Sequence, residues 1–411
     1  MKNISNNYIT IIDIGTSKIV CLIAKYTIGG NMTIIGIGHQ VSGGIRSGII
    51  TDIKLAEESI RAAVGAAEDM AGINIDRAIV GISGNKQKSG ILKVELNIKG
   101  PAISDRDIKQ IIEQGSSRFY ESGQDVIHCL AVDYTIDGTS GITNPVGMFA
   151  NKLEATLHII TVASSNIINL NNCMAMCHLN IDGYISTSYA SAIACLSEDE
   201  KNLGVTSINF GAGNTAISIF KNGNMVYSDN IPIGGGHITN DIAVGLSTSI
   251  KSAERVKVLH GNAFKSAKDE HELIDLPSLE EDFAGVQNIQ KSSLISIIRP
   301  RVEEILELID NSFNNYGKNK TGGKIVITGG AMQLRGLSDR IEQSFNKTVR
   351  IGIPADIDGM AESTKGPSFS TAIGMLLLAK QQLDLKYKIY NGKILSKGIF
   401  ARTINWMRNN F

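Results

Sequence analysis

ITIIDIGTSKIVCLIAKYTIGGNMTIIGIG (residues 9–38) and SINFGAGNTAISIFKNGNMVYSDNIPIGG (residues 207–235) are two copies of one plan. Each reads apolar strand, glycine-bearing turn, apolar strand, turn, strand. Asp13 aligns with Asn209 and Gly15 with Gly211, an offset of 196 residues. The turns fall where glycine permits positive φ, so each copy predicts a three-stranded meander. A helical stretch and a buried strand ending in glycine follow each copy. In the first half these are 54–70, apolar at Leu55, Ile60, Ala63, Val64 and Ala67, and AIVGISG at 78–84. In the second they are 241–258 and KIVITGG at 324–330. The closing glycines 84 and 330 lie 246 apart, so the second half carries about 50 extra residues, near 261–300.

The first half carries its own insertion, 85–162. It contains a strand-like LKVEL, a helix from Ser104 to Tyr120 with Ser104 and Asp107 placed as an N-cap pair, and a strand-like KLEATLHIITVAS. Helices at 166–179 and 188–196 lead into the second half. The fold class is therefore α/β, with duplicated halves bearing unlike insertions. Residues 1–84 and 163–204 form the first half, 85–162 the inserted subdomain and 205–380 the second half with its insertion at 261–300. A polar stretch without clear period, 381–395, reads as a linker before a terminal segment, 396–411.

A chain of 411 residues suits two to three domains, and 43% hydrophobic with 19% charged residues is ordinary globular usage. Forty basic and forty acidic side chains cancel, which disfavours nucleic acid as the main partner. The five cysteines are odd in number and irregularly spaced, and are expected to be reduced thiols of a cytoplasmic protein. Cys173, Cys177 and His178 lack a second ligand pair, so they read as one face of a packed helix. No run of 18 apolar residues exists to cross a bilayer, and Asp13 and Lys18 interrupt the only signal-like stretch.

The turns carry the chemistry. In DIGTSK (13–18) the backbone amides around Gly15 point into a concavity suited to phosphate oxygens. Thr16 and Ser17 add hydroxyls, and Lys18 adds a charge toward the phosphates, the plainer alternative being a side chain in solvent. Asp13 ends a buried strand, where a hydrated Mg²⁺ would compensate its carboxylate. NFGAGNT (209–215) offers Gly211, Ala212, Gly213, Asn214 and Thr215 in the same way, and the repeat predicts that it faces the first turn across a cleft. A third loop, ITGGAMQLRG (327–336), places Gly329, Gly330, Ala331 and Met332 where backbone can approach a base or phosphate. Glu254 and Lys257, three apart on a helix, either touch a ribose or adenine edge or form a solvated ion pair.

DIGTSK, NFGAGNT, ITGGA and DIAVGL…AERVK resemble the phosphate-1, phosphate-2 and adenosine motifs of the actin/Hsp70/sugar-kinase superfamily. Within it, GIRSGIITDI (44–53), IPIGGGHITNDIAVGL (231–246) and the terminal amphipathic segment resemble the FtsA family of bacterial cell-division proteins, over essentially the whole chain. The resemblance implies an actin-like, ribonuclease H-like fold and ATP with Mg²⁺. It adds Gly235 to the adenosine site and places Asp13 and Asn209 near the metal through water. It further implies filaments of the protein itself on the cytoplasmic face of the membrane at the division site, contacts with other division proteins, and tethering of FtsZ through its C-terminal tail. RPRVEEILELI (299–309) resembles a basic turn and helix of that docking region, with Arg301 as the contact to an acidic tail. Two positions depart from the family's Asp-x-Gly-x-Gly-Thr-Thr motif: Asn209 stands for the acid and Asn214 for the first Thr. An amide adds no charge toward a metal, and no general base is evident, so slow or negligible ATP turnover is expected.

On a helical wheel, Ile399, Phe400, Thr403, Ile404, Trp406, Met407 and Phe411 share an arc of about 160°, while Ala401, Arg402, Asn405, Arg408 and Asn409 fill the other side. This suits a helix lying in a bilayer interface, or one docked on the protein's own surface. Apolar side chains at ~1.5 kcal/mol each, and Lys397, Arg402 and Arg408 at ~1 kcal/mol each near anionic lipid, are largely offset by ordering the segment. A single anchor therefore binds reversibly, and many on one filament bind firmly. The competing readings are a soluble kinase or phosphatase of the superfamily, and a scaffold with a vestigial nucleotide site.

Overall fold

The computed structural model describes residues 8–27, 30–84, 86–119, 121–277 and 286–390. The first half opens with β1 (Tyr8–Ile14), β2 (Lys18–Tyr26) and β3 (Met32–Val41), an antiparallel meander as expected. A short hairpin of β4 (Ile45–Arg46) and β5 (Ile49–Ile50) precedes α1 (Ile53–Ala71). Asp52 caps α1, its Oδ1 accepting from the Leu55 amide, and Gly72 ends it at φ 67°. Buried Ala63 and Ala67 lie on β3, where Gly36 and Gly38 leave no room for a Cβ beneath the helix backbone. β6 (Arg77–Ile82) pairs parallel with β1.

The insertion holds β7 (Lys88–Asn97), α2 (Asp105–Arg118), β8 (Gln124–Ile136), β9 (Thr139–Ile142) and β10 (Lys152–Ala163). The Ser104–Asp107 capping box is present. The 13-residue β8 was not anticipated; with β9 it completes a sheet of order β7-β10-β8-β9, and Ile108, Ile111 and Ile112 of α2 are buried beside it. After α3 (Ser164–Met176), β11 (Asn180–Ser186) returns beside β6 in parallel. α4 (Thr187–Cys195) and α5 (Glu198–Leu203) lead to the second half.

That half repeats the first. β12 (Val205–Phe210), β13 (Thr215–Lys221) and β14 (Asn224–Ile231) form the meander, and β17 (Lys324–Thr328) and β18 (Thr348–Ile351) add in parallel. The two orders, β3-β2-β1-β6-β11 and β14-β13-β12-β17-β18, are the same topology. Between them come α6 (Gly235–Gly245), α7 (Ile250–His260), the hairpin β15 (Leu273–Pro277) and β16 (Val286–Gln290), and α8 (Lys291–Tyr316); α9 (Leu337–Phe345) precedes β18.

Four expectations need correction. The helix expected over 241–258 is two helices: Ser247 takes φ 48°, and Ser249 caps α7 by accepting from the Ser252 amide. Residues 299–309 are not a turn and helix start but the interior of the 26-residue α8, Pro300 included. Its buried stripe, Leu294, Ile298, Val302, Ile305, Ile309 and Phe313, holds it to the core on both sides of the proline. The second half does not extend to 380: α10 (Ser370–Tyr390) crosses back, and Ala372, Ile373, Leu376 and Ala379 join the first half's core with Ile12, Leu22 and Val80. The stretch read as linker begins as the last turns of α10, which runs to Tyr390. α4 is buried along its length between the sheets, and Gly374 of α10 packs directly on the Ala190 carbonyl.

Candidate functional site

The repeat extends to hydrogen bonds. In the first turn the Gly15 amide donates to the Lys18 carbonyl at 3.1 Å, and in the second Gly211 donates to Asn214 at 2.9 Å. The same 196-residue offset relates both pairs, so Asn214 is the counterpart of Lys18. Among the described residues, the amides of Thr16, Ser17, Ala212 and Gly213 have no protein acceptor, which leaves four donors at the tips.

The turns face each other and touch. A Cβ on Gly213 would lie 2.8 Å from both Cβ and Cγ2 of Thr16, and closer still to its Oγ1. A second layer supports each tip. The Gly48 amide donates to Thr16 Oγ1 at 3.1 Å, and the Ser42 amide to the Ser17 carbonyl. The β4–β5 hairpin thus braces the first turn, and Ser47 Oγ reaches the Pro232 carbonyl of the other half at 3.5 Å. On the far side, the amides of Gly235 and Gly236 donate to the carbonyls of Gly211 and Ala212 at 2.9 and 2.7 Å. A Cβ on Gly235 would stand 2.5 Å from that of Ala331, which brings the third glycine loop against the start of α6. Gly329 at φ 94° packs against Asn209 and Phe210, Gly330 has only Ser368 near its Cβ position, and Met332 is buried.

Glu254 and Lys257 belong to this wall. Lys257 Nζ donates to the Gly235 carbonyl (3.0 Å), Thr239 Oγ1 (2.8 Å) and Glu254 Oε2 (2.6 Å), and Thr239 also bonds Glu254. The pair is not merely solvated: it holds the turn that opens α6, with Glu254 half exposed and Lys257 largely buried.

The charged floor differs from expectation. Lys18, expected among the phosphate-binding residues or else in solvent, is turned instead toward the residues that precede the last helix. Its Nζ donates to Ser368 Oγ at 3.2 Å and lies 3.2 Å from the centre of the Phe369 ring. Burial pulls its pKa down to about 8, partly countered by the Asp13 charge. Burial pushes Asp13 up to about 6, partly countered by Lys18. The Asp13 carboxylate lies by Gly81 and accepts no side-chain hydrogen bond from a described residue. Thr215 also departs from expectation: it is fully buried and its hydroxyl donates to the Ile233 carbonyl at 2.8 Å. Asn214 turns its amide to Asn230 (2.9 Å), and Asn209 donates to Thr371 at 3.3 Å. Ser368 and Thr371 were missed from sequence because they lie 350 and 162 residues from their partners Lys18 and Asn209, while Gly48 and Asn230, 32 and 16 residues from theirs, carry no local signal for the bonds they make.

A Mg²⁺ ion fits Asp13 better than Asn209. The first is an unbonded carboxylate with a raised pKa, while the second has no charge and its Oδ1 is crowded by Gly329. Among the described residues no group of three or more His, Cys, Asp or Glu side chains is placed to hold a metal. The described residues alone therefore build no closed metal site, and an ion beside Asp13 would need phosphate oxygens as its main ligands.

Arg301 is engaged within its own half: it donates to Asp241 of α6 at 2.6 and 3.0 Å and pairs with Glu304. Those hydrogen bonds and charges hold its pKa above the usual arginine range. Cys173 and Cys177 lie against the Ile53 and Glu57 carbonyls of α1, but α3 ends at Met176, so Cys177 caps it and His178 turns away at φ 59° and is exposed; only part of the expected packed face forms. No described helix is long and apolar enough to cross a membrane. The anchor residues Lys397, Ile399, Phe400, Arg402, Ile404, Trp406, Met407, Arg408 and Phe411 lie outside the described residues.

Two family profiles match the chain: "Cell division protein FtsA" over residues 206–374 and "SHS2 domain inserted in FTSA" over 84–161. Cell division protein FtsA of Rhizobium meliloti (strain 1021) is 36% identical over 422 aligned positions, covering 99% of this chain and 95% of that protein. Among solved structures, the PilM–PilN type IV pilus biogenesis complex aligns with a TM-score of 0.62 at 12% identity, covering 90% of this chain and 97% of that one. MreB 5 of Spiroplasma citri bound to AMPPNP aligns with a TM-score of 0.56 at 15% identity, covering 94% and 99%. The fold is the actin-like one expected.

Proposed function

The chain belongs to the FtsA family of cell division proteins, and from that premise we propose that it is an ATP-binding adaptor that polymerises on the inner face of the cell membrane and tethers FtsZ there. The observation that carries the nucleotide reading is the meeting of two hydrogen-bond-equivalent turns, Thr16 against Gly213, beside the wall formed by Gly235, Ala331 and Lys257. The four unpaired tip amides suit the phosphates, and Glu254 and Lys257 flank the adenosine. MreB 5, of like fold, has been solved with AMPPNP and with ADP, which supports the same use of the cleft here. A bound Mg²⁺ would neutralise phosphate charge. Asp13 would hold its water, and Lys18 would balance Asp13 when the ion is absent.

The membrane reading rests on the amphipathic pattern of 399–411 and on anchor arithmetic that calls for many copies on one filament. FtsZ docking through Arg301 requires an acidic tail to compete with Asp241 for the guanidinium. Calorimetric titration with ATP, with and without Mg²⁺, tests the nucleotide reading; absence of binding in both would overturn it. Co-sedimentation with anionic liposomes tests the anchor. The full chain should pellet, while Trp406→Glu and a chain ending at Tyr390 should not, and equal pelleting of all three would remove the claim. Cutting at Tyr390 leaves α10 whole, whereas cutting at 380 would sever a core helix.

A further inference from the structure

The edge strand β14 joins three bodies. At its far end Asn224 Nδ2 donates to the Val132 carbonyl of β8 at 2.9 Å. Midway, the Ser228 amide donates to Ser89 Oγ at 3.0 Å, and Gln87 Nε2 donates to Ser228 Oγ at 2.9 Å. The inserted subdomain is thus joined to the first half by chain and by the Ser186 amide, which donates to His128 Nε2 at 2.9 Å, and to the second half by hydrogen bonds along one strand.

The near end of β14 meets the phosphate turn. Asn230, 6% exposed, accepts from Asn214 Nδ2 at 2.9 Å through Oδ1 and donates from Nδ2 to the Gly84 carbonyl at 2.6 Å. Gly84 follows β6 in the first half, immediately before the inserted subdomain begins. One buried amide therefore links the second phosphate turn to the root of the insertion. The two bonds use both ends of the amide: a carboxylate keeps the first and loses the second, and an aliphatic side chain loses both.

We propose that Asn230 is a positioning residue that couples nucleotide occupancy of the 211–214 turn to the orientation of the inserted subdomain. This rests on the nucleotide reading above. Phosphates drawn to the Ala212 and Gly213 amides bias the position of the turn, and with it Asn214. Asn230 passes that bias to Gly84, while Ser228 and Asn224 keep β7 and β8 in register with β14. A contiguous chain of short hydrogen bonds with buried members has few other ways to relax.

The test is hydrogen exchange of the full-length protein, with and without saturating ATP, read on peptides of β7 (Lys88–Asn97). ATP should change exchange there about fivefold in the unsubstituted protein. Asn230→Asp cuts only the Gly84 bond, and Asn214→Thr cuts only the Asn214 bond. Each variant, with ATP occupancy verified by calorimetry, should lose most of that difference. If Asn230→Asp fails to fold, Asn214→Thr stands alone as the test. A full ATP effect in an ATP-saturated variant, or none in the unsubstituted protein while ATP binds, overturns the coupling. Failure of the unsubstituted protein to bind ATP overturns the nucleotide reading and this inference with it, and the calorimetry distinguishes that case.

Discussion

Replacing Gly213 by alanine isolates the contact between the turns. Gly213 does not occupy the left-handed region, so alanine is free of backbone strain there and the effect is steric. The added Cβ would stand 2.8 Å from Thr16 Cβ, about 0.6 Å inside the 3.4 Å at which ordinary contact begins. Rotating Thr16 gives no relief, because its Cβ is itself too close. The tips must part, and donors aimed at one phosphate group from opposite walls no longer converge. Losing one or two hydrogen bonds to a charged group, at about 1.5 kcal/mol each, weakens ATP binding about 10- to 100-fold. The double variant Gly213→Ala with Thr16→Gly removes the overlap and should recover part of the loss. Isothermal titration of the three proteins checks this. Unchanged affinity in Gly213→Ala would refute the opposed-turn geometry, since no tolerant site admits a methyl at that point.

Asp13→Asn tests the floor by pH. A carboxyl raised to about 6 by burial favours the folded state at low pH, and that contribution is lost as pH rises through 6. The variant should therefore melt higher than the unsubstituted protein at pH 8 without nucleotide, with the advantage gone near pH 4; pH-resolved thermal melts that run parallel would contradict the assignment. Asp241→Asn tests the partner surface. It releases the Arg301 guanidinium from its carboxylate, so an acidic FtsZ-tail peptide should bind several-fold tighter by fluorescence polarisation, while weaker or unchanged binding argues that Arg301 is only a brace between α6 and α8.

The duplicated meander was legible because period-2 apolar strands and glycine turns are local signals, and the 196-residue offset repeats them. The turns at 13–18 and 209–215 were read correctly as opposed. What escaped was set by distant partners. The direction of Lys18 depends on Ser368 and Phe369, 350 residues away. Thr215 looks like a phosphate donor in sequence, yet Ile233 takes its hydroxyl. The split between α6 and α7 rests on a left-handed Ser247, a residue with no propensity signal for that conformation. Pro300 invited a helix boundary, but burial on both sides of it outweighs one lost backbone bond. The return of α10 to the first half leaves no trace in its own composition.

That return gives α10 two addresses. Its first turn stands at the cleft floor, where Thr371 meets Asn209 and the preceding Ser368 meets Lys18, and its last turn ends at Tyr390, roughly 30 Å away at 1.5 Å per residue. One helix therefore spans from the floor of the nucleotide cleft, through the core of the opening half, to the far end of the same axle.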